Sequence, residues 1–319
     1  MTQILHGIDI GGTKIGVCAG DANGRVIAAR QFATDHARAP DEVLRTALAE
    51  LGNLTRDASV GAPTALGVTC PGPYHAGLQQ FLDPPNMPRW HGFALGEFLR
   101  GNAGIPAVAM NDANAAVLAE WRWGAGVGYR NVVFLTNSTG MGAGFVLDDR
   151  LYEGTDGFAA EIGHLALEAD GPVGFGRRGS VEGFLSGPGM SQVGAAERLV
   201  CRQTGEASAL LETAGELTPE QICAAARNGD AAARRVVERC AVKLGKLMAM
   251  LTDILNPQVF ILGTIGSAYP DLFIPRATEV LRAEAIRHAA DIVRVVPSGL
   301  ADRGNQQALA AALYQPYFK

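Results

Sequence analysis

The residues best suited to acid–base chemistry lie in the stretch Asn111-Asp112-Ala113-Asn114. An apolar run at residues 106–110 precedes it and an alanine-rich segment follows, so Asp112 is predicted where a buried strand meets a helix. Ligands bind at the carboxyl ends of the strands in open α/β sheets. A carboxylate there can accept a proton from a substrate hydroxyl, and the amide of Asn111 can position that hydroxyl. Taken alone, the stretch is explained more simply by Asn111 or Asp112 capping the helix.

A glycine-rich turn near the start of the chain favours the chemical interpretation of Asp112. The run Asp9-Ile10-Gly11-Gly12-Thr13-Lys14 places a carboxylate at the end of a predicted strand and two glycines directly after it. Backbone N–H groups in such a turn can approach a phosphate, and Thr13 and Lys14 can add a hydroxyl group and a positive charge. Asp9 is suited to hold Mg²⁺ through water, because Mg²⁺ retains most of its hydration. The spacing matches neither the P-loop nor the Rossmann motif, and an ordinary hairpin also explains a single turn of this kind.

The same pattern recurs in the second half of the chain. A predicted strand at residues 132–136 leads into Asn137-Ser138-Thr139-Gly140-Met141-Gly142, and each copy then continues with a strand, an acidic turn, an arginine and an apolar run. This predicts an internal duplication whose two halves place their glycine turns across one cleft. A third glycine-containing loop, at residues 263–267, follows a predicted strand. The three loops together predict a nucleotide site that includes Thr139, Gly140 and Gly263.

Three further polar residues are suited to binding a polyol. Glu161 and His164 are three positions apart, so they share one face of a helical turn. Glu182 follows within the same glycine-rich, irregular region at residues 153–189. Two carboxylates and an imidazole can each share several hydrogen bonds with hydroxyl groups. For any one of the three, a surface glutamate or a structural histidine is an equally simple explanation.

Strands and helices that would position these residues alternate along the chain. Strands are predicted at residues 4–10, 14–19, 25–32, 64–69, 106–110, 132–136, 143–147, 258–262 and 292–296. Helices are predicted at residues 40–54, 94–100, 190–203, 219–227 and 230–255, with a broken helix up to residue 289 and a terminal helix from about residue 306.

Composition restricts the class of protein. The 319 residues are enough for two domains, and the 48% hydrophobic and 18% charged content is typical of a soluble globular protein. A net charge of -5 argues against nucleic acid or an anionic membrane as the main partner. No apolar run is long enough to span a bilayer, and no signal peptide is expected. The five scattered cysteines predict reduced thiols in a cytoplasmic protein.

Several motifs in combination resemble those of the ROK family (repressor, open reading frame, kinase). Besides the two glycine turns and the stretch around Asp112, they are Pro71-Gly72-Pro73, Glu161-Ile162-Gly163-His164, Gly179-Ser180-Val181-Glu182 and Ser186-Gly187-Pro188. The resemblance runs over almost the whole chain. It implies an α/β, two-domain fold of the actin/hexokinase/Hsp70 type (ribonuclease H-like), with ATP and a sugar in the interdomain cleft. The implied division is residues 1–115 with the C-terminal helix at about 301–319, and residues 116–300.

The resemblance also implies roles for individual residues. Asp112 would be the catalytic base, and Mg-ATP would bind at the glycine turns. Sugar hydroxyls would be bound by Asn111, Asp112, Glu161, His164 and Glu182, with Gly72 and Asn86 as further candidates. The expected substrate is a hexose or acetamido-hexose phosphorylated at the 6-hydroxyl, with glucose as the preferred candidate, and a homodimer is the expected assembly.

One departure from the family pattern concerns a metal. Family members commonly hold a structural zinc with one histidine and three cysteines. Here the three cysteine positions are occupied by Val173, Phe175 and Ser180. His164 alone cannot form a tetrahedral zinc site, so no zinc is predicted. Val173 and Phe175 are expected to hold this loop by apolar packing instead. A smaller departure is Thr264, where the family usually has a second glycine.

Three other functions are consistent with parts of the pattern. A sugar-responsive repressor of this family would carry a helix-turn-helix ahead of Asp9, and because Asp9 lies so near the start of the sequence, a repressor is not expected. A sugar-binding sensor without catalysis is a stronger alternative because the zinc ligands are missing, although Asp112 and both glycine turns are present. An actin- or Hsp70-like ATPase fits the fold but does not account for Glu161, His164 and Glu182.

Overall fold

Two sheets with the same strand order form the framework of the protein. The computed structural model describes residues 3–314. The first sheet contains β1 (Ile4–Ile10), β2 (Lys14–Asp21), β3 (Val26–Ala33), β4 (Ala65–Cys70) and β5 (Ala107–Asn111), in the order β3-β2-β1-β4-β5. The second contains β6 (Val132–Asn137), β7 (Met141–Leu147), β8 (Arg150–Leu151), β9 (Val259–Leu262) and β10 (Arg294–Pro297), in the order β8-β7-β6-β9-β10.

The pairing directions in the two sheets are also the same. In each sheet the first three strands pair antiparallel, the fourth strand pairs parallel with the first, and the fifth pairs parallel with the fourth. This agreement confirms the internal duplication predicted from the two glycine turns. The strands β1, β4 and β9 are buried almost throughout, because helices cover both faces of each sheet, whereas the edge strand β3 alternates between half-buried and exposed residues.

Helices connect and cover the strands. They are α1 (Pro40–Asp57), α2 (Leu95–Asn102), α3 (Asp112–Trp123), α4 (Val181–Leu185), α5 (Gly187–Thr204), α6 (Pro219–Arg227), α7 (Ala231–Leu255), α8 (Thr264–Ala268), α9 (Pro270–Glu284), α10 (Arg287–Ala290) and α11 (Arg303–Ala312). Short 3₁₀ turns lie at Pro88–Trp90, Ile162–His164 and Ala209–Leu211, and two small hairpins pair Tyr74–His75 with Gln80–Phe81 and Val173–Gly174 with Arg177–Arg178. In the described part of the chain, no helix is long and apolar enough to cross a membrane.

Helices α3 and α11 lie together where the two sheets meet. One apolar cluster contains Val108 of β5, Val117 of α3, Phe134 of β6 and Ala311 of α11. Although α11 follows the second sheet in sequence, it packs on β1 and β4 of the first sheet. A methyl group added at Gly67 of β4 would lie 2.0 Å from the backbone oxygen of Ala308. The contact between this helix and the sheet therefore leaves no space for a side chain.

Most predicted elements agree with the structure to within a few residues, but one prediction about a loop was wrong. Residues 263–267 were predicted as a loop, whereas α8 begins at Thr264, directly after Gly263. The predicted terminal helix is present as α11 up to Ala312, and the part of that prediction beyond residue 314 lies outside the described residues. The division at residues 115 and 116 stays a proposal, and α3 runs through it without a break.

Candidate active site

Asn111 ends β5 and caps the helix that follows. Its side-chain Oδ1 accepts hydrogen bonds from the backbone N–H groups of Ala113 at 2.9 Å and Asn114 at 3.3 Å. These bonds satisfy two of the free N–H groups at the start of α3. The simple capping interpretation is therefore correct for the oxygen of Asn111. Its amide Nδ2 faces Gly72, at 3.4 Å from where a side chain at Gly72 would begin, so the same residue presents a donor to the space beside the strand end.

Asp112 is the first residue of α3 and is open to solvent. Its Oδ1 accepts a hydrogen bond from the N–H of Ala113 at 2.8 Å. The protein around this position reduces the solvation of the carboxylate, and this effect, followed by the negative charges of Asp9 and Glu161, raises the pKa of Asp112 to about 6. A solvent-accessible carboxylate with such a pKa is ionised at neutral pH, yet it is a stronger base than an ordinary aspartate. That combination is suited to general base catalysis.

Asp9 lies near the end of β1, and β4 separates this strand from β5, which leads into Asp112. Its Oδ1 accepts a hydrogen bond from Thr69 Oγ at 2.6 Å. Burial raises the pKa of Asp9, although the hydrogen bond from Thr69 opposes this change. Thr69 was missed from the sequence, where it was only one residue of a predicted strand. It is the neighbour of Asp9 across the β1–β4 pair, a relation that the order of the strands decides.

The first glycine turn is braced by the segment after β3 and leaves one glycine open. Thr34 Oγ donates to the carbonyl of Gly11, and His36 Nε2 donates to the carbonyl of Gly12, both at 2.7 Å. A side chain at Gly12 would meet only Asn86 Cβ, at 3.7 Å, which is an ordinary contact. Neither backbone conformation nor packing requires a glycine at this position. The missing side chain leaves room for a ligand to approach the backbone closely. Asn86 lies beside this turn, and Thr13 and Lys14 are exposed.

The second glycine turn contacts one of the predicted sugar-binding residues. Glu182 Oε2 accepts a hydrogen bond from the N–H of Met141 at 3.1 Å. A side chain at Gly140 would begin 2.9 Å from the same oxygen, so the glycine is needed for Glu182 to reach the turn. Glu182 therefore links the turn that contains Thr139 and Gly140 to the region that contains Glu161. The bond from Met141 uses Oε2 of Glu182 and not its Oε1.

Glu161 lies at the centre of the predicted sugar-binding residues. It directly precedes the 3₁₀ turn Ile162–His164, and its Oε2 is 3.9 Å from His164 Nε2. Its Oε1 is 3.8 Å from where a side chain at Gly72 would begin, which places Glu161 near the amide of Asn111. Burial raises the pKa of Glu161, with His164 opposing the change and the charge of Glu182 adding to it. The structure thus brings these residues together from both halves of the chain.

The third predicted loop is organised by a residue that sequence reasoning did not single out. Asn137, at the end of β6, accepts a hydrogen bond through Oδ1 from the N–H of Gly266 at 3.1 Å. Thr264 Oγ donates to the carbonyl of Asn137 at 2.6 Å, and the N–H of Asn137 donates back to that hydroxyl at 3.1 Å. Thr264 has a φ of +35°, a backbone conformation that disfavours β-branched residues. The available signal for Asn137 was a polar residue at the end of a predicted strand.

Comparison with known proteins shows the family of this chain. A sequence model of the ROK family matches residues 5–313. The chain belongs to the ROK family. It is 32% identical over 264 residues to a glucokinase of Streptomyces coelicolor, covering 81% of this chain and 80% of that protein. It is 33% identical over 263 residues to an N-acetylmannosamine kinase of Salmonella typhi, covering 82% of this chain and 83% of that protein.

Solved structures of ROK proteins share the fold over nearly the full chain. A ROK family glucokinase from Streptomyces griseus, in complex with glucose and AMPPNP, has a TM-score of 0.76 and 27% identity, covering 98% of each chain. A ROK family transcriptional regulator, a homologue of the E. coli MLC protein, has a TM-score of 0.87 and 23% identity, covering 98% of this chain and 78% of that one. The fold is therefore the two-domain α/β fold of the actin and hexokinase type.

The residues at the family's zinc position do not fit a zinc ion in this ROK protein. Val173 and Phe175 carry no ligating atom, and Ser180 Oγ is fully buried, where it caps α4 by accepting from the N–H of Gly183 at 3.0 Å. Within residues 3–314, no group of three or more His, Cys, Asp or Glu side chains could hold a metal ion. Val173 and Phe175 were expected to hold this loop by apolar packing. They are 43% and 52% exposed, so that expectation was wrong.

Proposed function

We propose that this ROK protein is an ATP-dependent sugar kinase that phosphorylates a hexose at its 6-hydroxyl, with Asp112 as the general base. The observation that carries this proposal is the environment of Asp112. Its carboxylate is open to solvent directly after β5, and its pKa is raised to about 6, in part by the charge of Glu161 from the second half of the chain. Asn111 and Glu161 both approach Gly72 beside it. The named sugar kinases among the relatives support the same reaction class.

The transfer forms one bond and breaks one bond. The sugar 6-oxygen attacks the γ-phosphorus of ATP in line, and the bond from that phosphorus to the bridging oxygen of the β-phosphate breaks, which releases ADP. Asp112 accepts the proton that the hydroxyl loses as the new bond forms. Because phosphoryl transfer needs little covalent help from a protein, positioning and charge stabilisation supply most of the catalysis.

Sugar recognition would use the residues around Glu161. The helix cap uses only Oδ1 of Asn111 and turns its Nδ2 away from the helix, so Nδ2 can donate to a sugar hydroxyl. Glu161 and Glu182 present acceptors. His164 adds a ring nitrogen next to Glu161. Gly72 has no side chain, so a sugar can approach both Asn111 and Glu161 at that place. We place Asn86 at the edge of this site, beside the first glycine turn, where the transferred phosphoryl group would pass.

ATP would lie across the two glycine turns. Gly11, Gly12, Thr13 and Lys14 would contact its phosphates from the first half of the chain, and Thr139, Gly140 and Gly263 would contact it from the second half. Asp9 fits a Mg²⁺ ion because Thr69 occupies only its Oδ1, and Mg²⁺ bound there would neutralise charge on the phosphates. Closing of the two halves over both substrates would exclude water, which would otherwise compete with the sugar as the acceptor.

The substrate and the base are tested together by measuring ADP release from Mg-ATP with a panel of hexoses and acetamido-hexoses. We expect turnover to depend on one sugar, with glucose as the preferred candidate. Asp112→Asn should lower kcat by about 10³-fold and leave sugar binding in calorimetry largely intact, because an Asn Oδ1 can still accept from Ala113. Asp148→Asn, in the exposed turn after β7, is the control and should retain wild-type turnover.

Two results would contradict this proposal. Near-normal turnover of Asp112→Asn would show that another group accepts the proton. Sugar binding without ADP release from any sugar would instead support a sugar-binding sensor on a kinase fold.

A further inference from the structure

The small hairpin at the family's zinc position contains an unusual turn. Its strands pair Val173 with Arg178 and Gly174 with Arg177, which leaves Phe175 and Gly176 as a two-residue loop. Their φ angles are +48° and +74°, the pattern of a type I′ turn. Such turns strongly favour Asn-Gly or Gly-Gly, because both central residues must adopt positive φ. A phenylalanine at the first position is therefore disfavoured by the backbone.

Burial does not explain why a phenylalanine occupies this position. The Phe175 side chain is 52% exposed, so it gains little from the apolar core. Its ring meets the imidazole of His164 edge to face, with the ring centroids 4.7 Å apart and the planes at 79°. A disfavoured backbone conformation that places one side chain against a candidate site residue indicates a functional constraint.

The same hairpin also holds the backbone of His164. Arg177 Nη1 donates a hydrogen bond to the carbonyl of His164 at 2.8 Å. The imidazole itself makes no hydrogen bond to another described residue within 3.5 Å, and its Nε2 is 3.9 Å from Glu161 Oε2. Ring contact with Phe175 and the bond from Arg177 therefore define how His164 faces Glu161.

Anchors on two helices keep the hairpin in place. Gln192 of α5 accepts from the N–H of Val173 at 2.9 Å and donates to its carbonyl at 2.8 Å. Ser180 Oγ, which also caps α4, can donate to the carbonyls of Arg177 at 3.2 Å and Gly174 at 3.3 Å. Two of the three positions that carry cysteine in the family, Val173 and Ser180, thus fix the hairpin, and the third, Phe175, carries the ring.

We propose that Phe175, supported by Arg177, is a positioning residue that orients His164 and, through it, Glu161 for sugar recognition. A bound metal at this place would orient the imidazole of His164. The hairpin does the same through its strained turn and the ring contact of Phe175. This inference rests on the proposed sugar-kinase function for its kinetic readout, and its spectroscopic readout is independent of that function.

The decisive variant is Phe175→Asn, because it has opposite effects on the turn and on the site. Asn-Gly is the preferred type I′ sequence, so the thermal midpoint of unfolding should stay the same or rise. Loss of the ring should raise the KM for the sugar roughly tenfold, with the KM for ATP and kcat changed less than about threefold. Phe175→Tyr keeps the ring edge and should restore a near-wild-type KM for the sugar.

Three results would overturn this proposal. One is an unchanged KM for the sugar in Phe175→Asn. Another is a lowered thermal midpoint with both KM values raised together, which would show a general structural role. The third is a rise in the KM for the sugar after wild-type protein is treated with EDTA, reversed by added zinc, which would assign the orienting role to a metal.

A spectroscopic measurement separates failure of this inference from failure of the kinase proposal. In ¹H–¹³C spectra of histidine-labelled protein, the ring signals of His164 can be assigned with His164→Gln. Because Phe175 lies against that ring, we expect these signals to move in Phe175→Asn and to stay near their wild-type positions in Phe175→Tyr. Movement without any sugar turnover would refute the kinase while supporting the positioning of His164. Unmoved signals in Phe175→Asn would refute the positioning role whatever the enzymatic activity.

Discussion

The two glycine turns end equivalent strands in two sheets of the same order, but different parts of the chain hold them. The first turn is braced by Thr34 and His36, which bind the carbonyls of Gly11 and Gly12. The second turn is held by the start of a helix instead: the N–H of Gly187, the first residue of α5, donates to the carbonyl of Ser138 at 2.7 Å. Duplication of the backbone therefore did not duplicate the contacts around each turn.

The registers of the two hairpins identify which residues are equivalent. Asp9 pairs with Gly16 one step before the end of β1, and Thr136 pairs with Gly142 one step before the end of β6. Only the first half thus has a carboxylate at this position. The second half has a neutral residue there and obtains its carboxylate, Glu182, from α4. Under the proposed function, the first half would supply the charge for the phosphates, and the second half would couple its turn to the sugar site through Glu182.

The largest expected difference between the halves is tested with Asp9→Asn and Thr136→Val. Asp9→Asn should lower kcat by about 10²-fold, because the charge that would hold Mg²⁺ is lost. The fold should be retained, since Thr69 can still donate to the Oδ1 of an asparagine. Thr136→Val, the matched change in the second half, should alter kcat by less than about threefold. Equal losses in steady-state assays of the two variants would contradict the division of roles.

The pH dependence of the reaction should sharpen the same comparison. Because the raised pKa of Asp112 is about 6, wild-type kcat/KM should be constant above pH 6 and fall about tenfold per pH unit below it, as the base becomes protonated. The charge of Asp9 contributes to that raised pKa. The residual activity of Asp9→Asn should therefore begin to fall at a lower pH than that of wild type. A profile that is unmoved in Asp9→Asn, or moved equally in Thr136→Val, would argue against this coupling.

The smallest expected effect concerns Thr264, which braces the second half and has a positive φ. Thr264→Ala loses the hydroxyl bonds to Asn137 and should lower the free energy of unfolding by about 1–2 kcal/mol. Thr264→Gly loses the same bonds but relieves the backbone, so its loss should be smaller by about 1 kcal/mol. Urea denaturation of the two variants measures this difference. Identical losses would show that the positive φ at this position carries no cost.

The sequence was sufficient for the elements whose signals are local. The bounds predicted for helix α6 (Pro219–Arg227) are those of the structure, where Thr218 and Gln221 form a capping box at its start, which is a local feature. Strand β1 (Ile4–Ile10) was likewise predicted from its apolar run and the glycine turn that ends it. Asp112 was predicted at a junction of strand and helix for the same reason, since capping and periodicity are properties of neighbouring residues.

Tertiary structure decided how these elements meet. Thr264 and Asn137 are 127 positions apart, and they are hydrogen-bonded where α8 begins. The sequence predicted a loop there because it does not show this long-range contact. The role of Asn111 as both cap and donor, like the contact between Phe175 and His164, depends on side-chain directions that only the assembled fold specifies. Residue types and local spacing thus determined which groups are available for chemistry. Their distances and shared electrostatics were decided by the packing of two sheets, because long-range contacts leave no local pattern in the sequence.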